Sequence, residues 1–86
     1  MIQIFNMFEV YVLKSDTDGI RYIGSGRNAM ERLRRHNQGD YRFTKGHMPW
    51  SLIYKEKYNT RSEAVRRERF LKSGQGRKLL DEILNK

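Results

Sequence analysis

Residues 7–14 alternate with a period of two: Phe8, Val10 and Val12 fall on one face, Tyr11 and Leu13 on the other. That period commits the stretch to a strand, because a helix would spread the same side chains around its axis. Ser15-Asp16-Thr17-Asp18-Gly19 follows, and its Asp-Gly pair is a strong turn signal. Residues 20–25 then read as a returning strand. A hairpin alone is marginal in water, so the rest of the chain has to cover its apolar faces.

Two capping patterns show where that cover begins. Asn28 with Glu31 predicts a capped helix start, and Gly39 its end; Thr60 with Glu63 opens another helix that runs to about Ser73-Gly74. Between them, residues 38–49 read as irregular, and Trp50, Leu52 and Tyr54 alternate along a third strand. Leu79, Leu80, Ile83 and Leu84 form the apolar stripe of a short last helix. The expected fold is α+β, in the order ββαβαα: a small three-stranded antiparallel sheet flanked by helices. One domain spans residues 1–86, with its core from about residue 7. Such a length is near the lower limit for an unaided core.

Composition removes several function classes. Cysteine is absent, which excludes disulfides, thiolate metal sites and a cysteine nucleophile. His36 and His47 are too few for a histidine-rich zinc site. The apolar run around Val10 is far short of a membrane span. The first six residues carry no basic segment or cleavage site of a leader. A soluble, cytoplasmic protein without a membrane partner is expected, with a monomer as the simplest state. Eighteen Lys and Arg against ten Asp and Glu give a net charge of +8. A nucleic-acid polyanion suits that balance, and the guanidinium fork suits phosphate oxygens. A ribosome-associated or protein-interaction domain would share the charge.

Some residues break their local rule. With Ala64 at zero on a helical wheel, Val65 lies at about 100°, Leu71 at about 340° and Glu68 at about 40°, within the apolar face. A carboxylate there needs an arginine partner, hydrogen bonds or a metal ion. On the first helix, His36 likewise falls on the apolar side, with Arg32 bordering it one turn away. Tyr11 and Tyr22 share a face of the hairpin if paired positions sum to an odd number. Residues 39–49 interleave Tyr41 and Phe43 with Arg42 and Lys45, a pattern that fits either strand contact or core plugging. Gly24-Ser25-Gly26 and Gly74-Gln75-Gly76 complete no phosphate-loop motif.

Together these residues resemble the GIY-YIG nuclease superfamily, over nearly the whole chain from Phe8 onward. Glu9-Val10-Tyr11 stands where that family has Gly-Ile-Tyr, and Tyr22-Ile23-Gly24 is its second signature unaltered. Arg32, ten residues after Tyr22 (32 − 22 = 10), matches the helix arginine, His36 a histidine-or-tyrosine position, and Glu68 the metal-binding glutamate. The run from Thr44-Lys45 to Pro49-Trp50 is similar to the small stand-alone bacterial branch, near the catalytic domain of the excision-repair nuclease subunit. Departures are Glu9 for glycine, Ser25 where many relatives carry lysine, and Leu80 where many carry asparagine. Asn85 takes that last place only with a different loop length.

The resemblance implies a metal-dependent DNA endonuclease, in the setting of DNA repair, with RNA as a further possible substrate. Its implied catalytic residues are Tyr11, Tyr22, Arg32, His36 and Glu68, with Glu68 holding Mg²⁺ (or Mn²⁺). Either tyrosine fits the base; the working assignment is Tyr11 as base and Tyr22 as orienting group. Nucleic-acid contacts are expected from Arg27, Arg35, Arg42, Lys45 and Arg66. The competing expectation is a non-catalytic nucleic-acid-binding module that keeps the fold.

Overall fold

Strand β1 (Phe8–Ser15) forms the centre of the sheet, between β2 (Arg21–Gly26) and β3 (Trp50–Tyr58), with every pairing antiparallel. The computed structural model describes residues 7–85; the first six, read above for a leader, lie outside the described residues. The remaining elements are β2 (Arg21–Gly26), α1 (Ala29–Asn37), α2 (Arg42–Lys45), β3 (Trp50–Tyr58), α3 (Arg61–Lys72) and α4 (Gly74–Leu84). The α+β class and the ββαβαα order are as expected, with one addition. Within residues 38–49, read as irregular, lies α2, a single helical turn too short to leave a periodic pattern.

Being central, β1 is covered on both faces, which explains why both of its parities are apolar. Phe8, Val10 and Val12 join Ile23 of β2, Ala64 and Leu71 of α3 and Leu80 of α4. On the other face, Tyr11 and Leu13 pack with Ala29 of α1 and with Trp50. The helices thus divide the sheet into an α1 face and an α3/α4 face.

Strand β3 departs from simple alternation. Leu13 pairs with Leu52 but Val12 with Tyr54, so Ile53 is an extra residue, a β-bulge. Trp50 and Leu52 therefore face α1, whereas Tyr54 turns to the α3/α4 core. There the Tyr54 and Tyr58 hydroxyls donate to Glu56, and Arg67 of α3 donates to both of its oxygens at 2.9 and 3.0 Å. Burial pushes the Glu56 carboxyl up, but these hydrogen bonds outweigh it and hold the group below the usual carboxylate range.

Arg67→Ala leaves that carboxylate short of its charge partner and is expected to cost about 3 kcal/mol at neutral pH. A depressed folded pKa stabilises the protein above the unfolded value of 4.5 and loses that contribution as pH falls through the folded one. Thermal melts should therefore show the gap between wild type and variant narrowing below about pH 4.5. Equal stability at pH 7 would contradict a structural role for the pair.

Helix starts follow the sequence signals. Thr60 and Glu63 make both bonds of a capping box. At α1 the box is half closed: Asn28 accepts from the Glu31 N–H, while the Glu31 carboxylate turns to Arg34. The donor left over, Ala29 N–H, goes to Glu9 Oε1 at 2.6 Å. Glu9 is buried, with Lys55 at 3.3 Å, and its charge lies at the positive end of the helix.

Candidate active site

Paired hairpin positions sum to 35, as in Leu13 with Tyr22 and Tyr11 with Gly24, so the two tyrosines are diagonal neighbours on the α1 face. Their ring centroids lie 6.4 Å apart. The odd sum places both on one side, and the glycines make room. A Cβ on Gly24 would fall 2.6 Å from the Tyr11 hydroxyl, and one on Gly26 would fall 3.0 Å from Arg32 Nε. The Gly24-Ser25-Gly26 stretch is thus a bare floor under Tyr11 and Arg32 rather than a phosphate loop. Sequence spacing holds the clue in hindsight: glycines two apart leave one face of an edge strand without side chains.

His36 is fully buried between two hydroxyls. Its Nε2 lies 3.2 Å from the Tyr11 hydroxyl and its Nδ1 lies 2.8 Å from Thr44 Oγ1. Thr44 donates onward to the Tyr41 carbonyl at 3.5 Å, which leaves its oxygen to accept from Nδ1–H. In the tautomer with its proton on Nδ1, His36 accepts the Tyr11 proton at Nε2. Burial, then the Arg32 guanidinium, push the His36 pKa below its usual value, so the ring is neutral near pH 7. The Tyr11 phenol is pushed well above its usual range by burial and by Tyr22, with Arg32 pulling the other way.

The His36 imidazole resonances should titrate below pH 6.5, and stability should be lost as pH falls from there, because the unfolded chain binds the proton first. Thr44→Val removes the acceptor for Nδ1–H and should disturb that titration. An imidazole that titrates above 6.5 would contradict the assignment.

Thr44 carries no sequence signal; it is reached only because α2 places it under His36. The same turn lifts Phe43 over Tyr22, with centroids 6.5 Å apart, while leaving the ring 56% exposed. Tyr41 packs on His36 at 4.4 Å. Of the two readings of this segment, Thr44 and Tyr41 plug and Phe43 faces solvent. Asn37 fixes α1 to β3 by bonding both the N–H and the carbonyl of Trp50.

Glu68 lies on α3, across the sheet from the Tyr11–His36 cluster. Its carboxylate accepts from Ser25 Oγ at 2.5 Å and from Lys72 Nζ at 2.7 Å, and its side chain is 19% exposed. The cation beside it is therefore a lysine one turn on, not an arginine. Ser25 belongs to the edge strand, between the two glycines, so the floor of one half-site and the anchor of the other alternate along β2. Among the described residues no three His, Cys, Asp or Glu side chains group to hold a metal. One half-buried carboxylate suits Mg²⁺, which keeps most of its waters, better than it suits zinc.

The basic residues divide. Arg35, paired with Asp40 at 3.6 Å, and Arg42 and Lys45 of α2 belong to the α1 side. Arg66 is exposed on α3, and Arg27 and Arg61 each stack on Phe8, at 4.8 and 4.9 Å from its ring centre. Leu80 is wholly buried, and Asn85 ends α4 exposed. No helix among the described residues is long and apolar enough to cross a membrane.

Residues 7–80 match the family pattern described as the GIY-YIG catalytic domain. The chain belongs to the GIY-YIG family. A UPF0213 protein of Staphylococcus aureus strain Mu3 is 38% identical over 65 residues, which span 74% of this chain and 78% of that one; the strain N315 protein matches equally. The solution NMR structure of the UPF0213 protein BH0048 from Bacillus halodurans superposes with a TM-score of 0.53 at 26% identity, over 90% of this chain and 84% of that one. As a small GIY-YIG protein the chain has a nuclease fold, and Glu9, at the first glycine of the signature, caps α1 in it.

Proposed function

We propose that this GIY-YIG protein is a metal-dependent endonuclease that hydrolyses phosphodiester bonds in DNA. The observation that carries the reading is the convergence of Tyr11, Tyr22, Arg32 and His36 over a side-chain-free floor, with Glu68 anchored to the serine of that same strand. Arg32, which pairs with no carboxylate among the described residues, binds the scissile phosphate and offsets its charge. Burial argues for exchanging the working roles of the tyrosines. Tyr11 is 1% exposed and hydrogen-bonded to His36, whereas Tyr22 is half-buried and can meet water. Tyr22 is therefore the group that deprotonates the attacking water, and the Tyr11–His36–Thr44 chain fixes the polarity beside it. Glu68 would hold Mg²⁺ (or Mn²⁺), an ion that supplies charge neutralisation on phosphoryl oxygens and help for the leaving oxygen.

End-labelled single-stranded, splayed and blunt DNA, incubated with Mg²⁺ or Mn²⁺ and with chelator, tests this reading. It predicts cleavage of at least one substrate that stops on chelation. A second reading is a non-catalytic nucleic-acid-binding module, favoured by the engagement of Glu68 with Lys72. It predicts binding without cleavage under every condition.

A further inference from the structure

On the α3/α4 face, β2 presents Ser25, Ile23 and Arg21 in succession, since odd positions of this strand share that side. Ser25 holds Glu68, and Lys72 follows one helical turn on. A groove of about 740 Å³ continues from there, bordered by Lys14, Arg21, Lys72 and Arg77 and by one acid, Asp81. Arg21 is neutralised by Asp81 at 2.7 Å and Lys72 by Glu68. Lys14 and Arg77 have no carboxylate partner among the described residues, and both are exposed. Ile20, 39% exposed, gives the groove an open apolar edge over the buried Ile23 and Leu80.

We propose that this groove holds an unpaired segment of DNA strand flanking the scissile phosphate, so that substrates are those with a single-stranded or splayed end. The proposal rests on the nuclease reading for the position of that phosphate. The two unpaired cations complement the charge of backbone phosphates, and the exposed Ile20 gives an unstacked base an apolar surface, so the groove suits a strand held without sequence preference. The volume is that of a small-molecule site, roughly 300–1,000 Å³. A nucleotide or two enters such a recess; a duplex, with bases stacked inward and phosphates outside, does not. None of Lys14, Arg21, Lys72 or Arg77 was among the basic residues expected from the sequence. They come from four different elements or their ends and converge only in the fold.

The test uses the whole chain in chelator, so that binding is read apart from turnover. Fluorescence anisotropy gives Kd for a single-stranded, a splayed and a blunt duplex oligodeoxynucleotide over a range of salt, for wild type and for the double variant Lys14→Ala, Arg77→Ala. Both positions are exposed, and an unchanged melting temperature verifies folding. The variant should lose about tenfold in affinity for the single-stranded and splayed DNA, with a salt slope lower by about 1.4, and less than about twofold for the blunt duplex. An equal loss on all three substrates, or none on the single strand, overturns the proposal. Cleavage that never occurs with any metal would defeat the nuclease reading and leave this binding pattern measurable. Normal cleavage with unchanged single-strand binding by the variant would defeat the groove alone.

Discussion

Gly76→Ala should destabilise the domain by about 3 kcal/mol, the upper end of the overpacking range. A Cβ at this position would lie 1.9 Å from the Phe70 carbonyl oxygen and 2.5 Å from the Leu71 Cα, and neither is the movable end of a side chain. The first turn of α4 packs there directly on the last turn of α3, so relief requires the two helices to separate. For a domain of this size the expected fall in melting temperature is on the order of 15 °C. Gly74, two residues earlier, has open space around it and an ordinary φ. Gly74→Ala should leave stability unchanged or raise it by a few tenths of a kcal/mol, because alanine loses less backbone entropy in a helix. Thermal melts of the two variants test the packing by opposite signs for one chemical change. Similar melting temperatures would show that the α3–α4 junction is not tight at Gly76.

The contrast also marks what the sequence could and could not convey. Strong local chemistry was legible: the alternation of β1, the Asp-Gly turn, the Thr60–Glu63 box and the odd-sum register that sets Tyr11 beside Tyr22. Features that depend on a contact across the chain were not. Gly74-Gln75-Gly76 completes no phosphate-loop motif, yet one of its glycines is required where two helix backbones meet. The bulge at Ile53 leaves no signal in an apolar run of both parities, and it sends Tyr54 to the opposite core from Leu52.

The site divides along the same line. Tyr11, Tyr22, Arg32 and His36 could be grouped from periodicity and resemblance, since each sits on a regular element. Thr44, Ser25 and Lys72, which give His36 and Glu68 their partners, are ordinary polar residues until folding brings them within hydrogen-bond reach. Burial also bears on roles that spacing alone leaves open. The tyrosines of the two signatures differ here in access to water, and that difference shifts the base from Tyr11 to Tyr22 in our reading.

The second large effect is expected at Glu68. Glu68→Gln is nearly isosteric, and its amide oxygen can still accept from Ser25. The loss of the Lys72 pair, whose lysine is half exposed, is worth only about 0.3–0.5 kcal/mol. The fold should therefore persist. Divalent metal should raise the melting temperature of the wild type and much less that of the variant, because only an ion held by the native state stabilises it. Cleavage should fall by about 10²–10³-fold, the scale of losing a group that stabilises charge in the transition state. Single-turnover cleavage of a splayed DNA, wild type against Glu68→Gln with Mg²⁺ and with chelator, tests the central claim most directly. The account predicts cleavage by the wild type with metal alone, and almost none by a folded variant. A folded Glu68→Gln chain that cleaves at the wild-type rate, or a wild type indifferent to chelation, would contradict it.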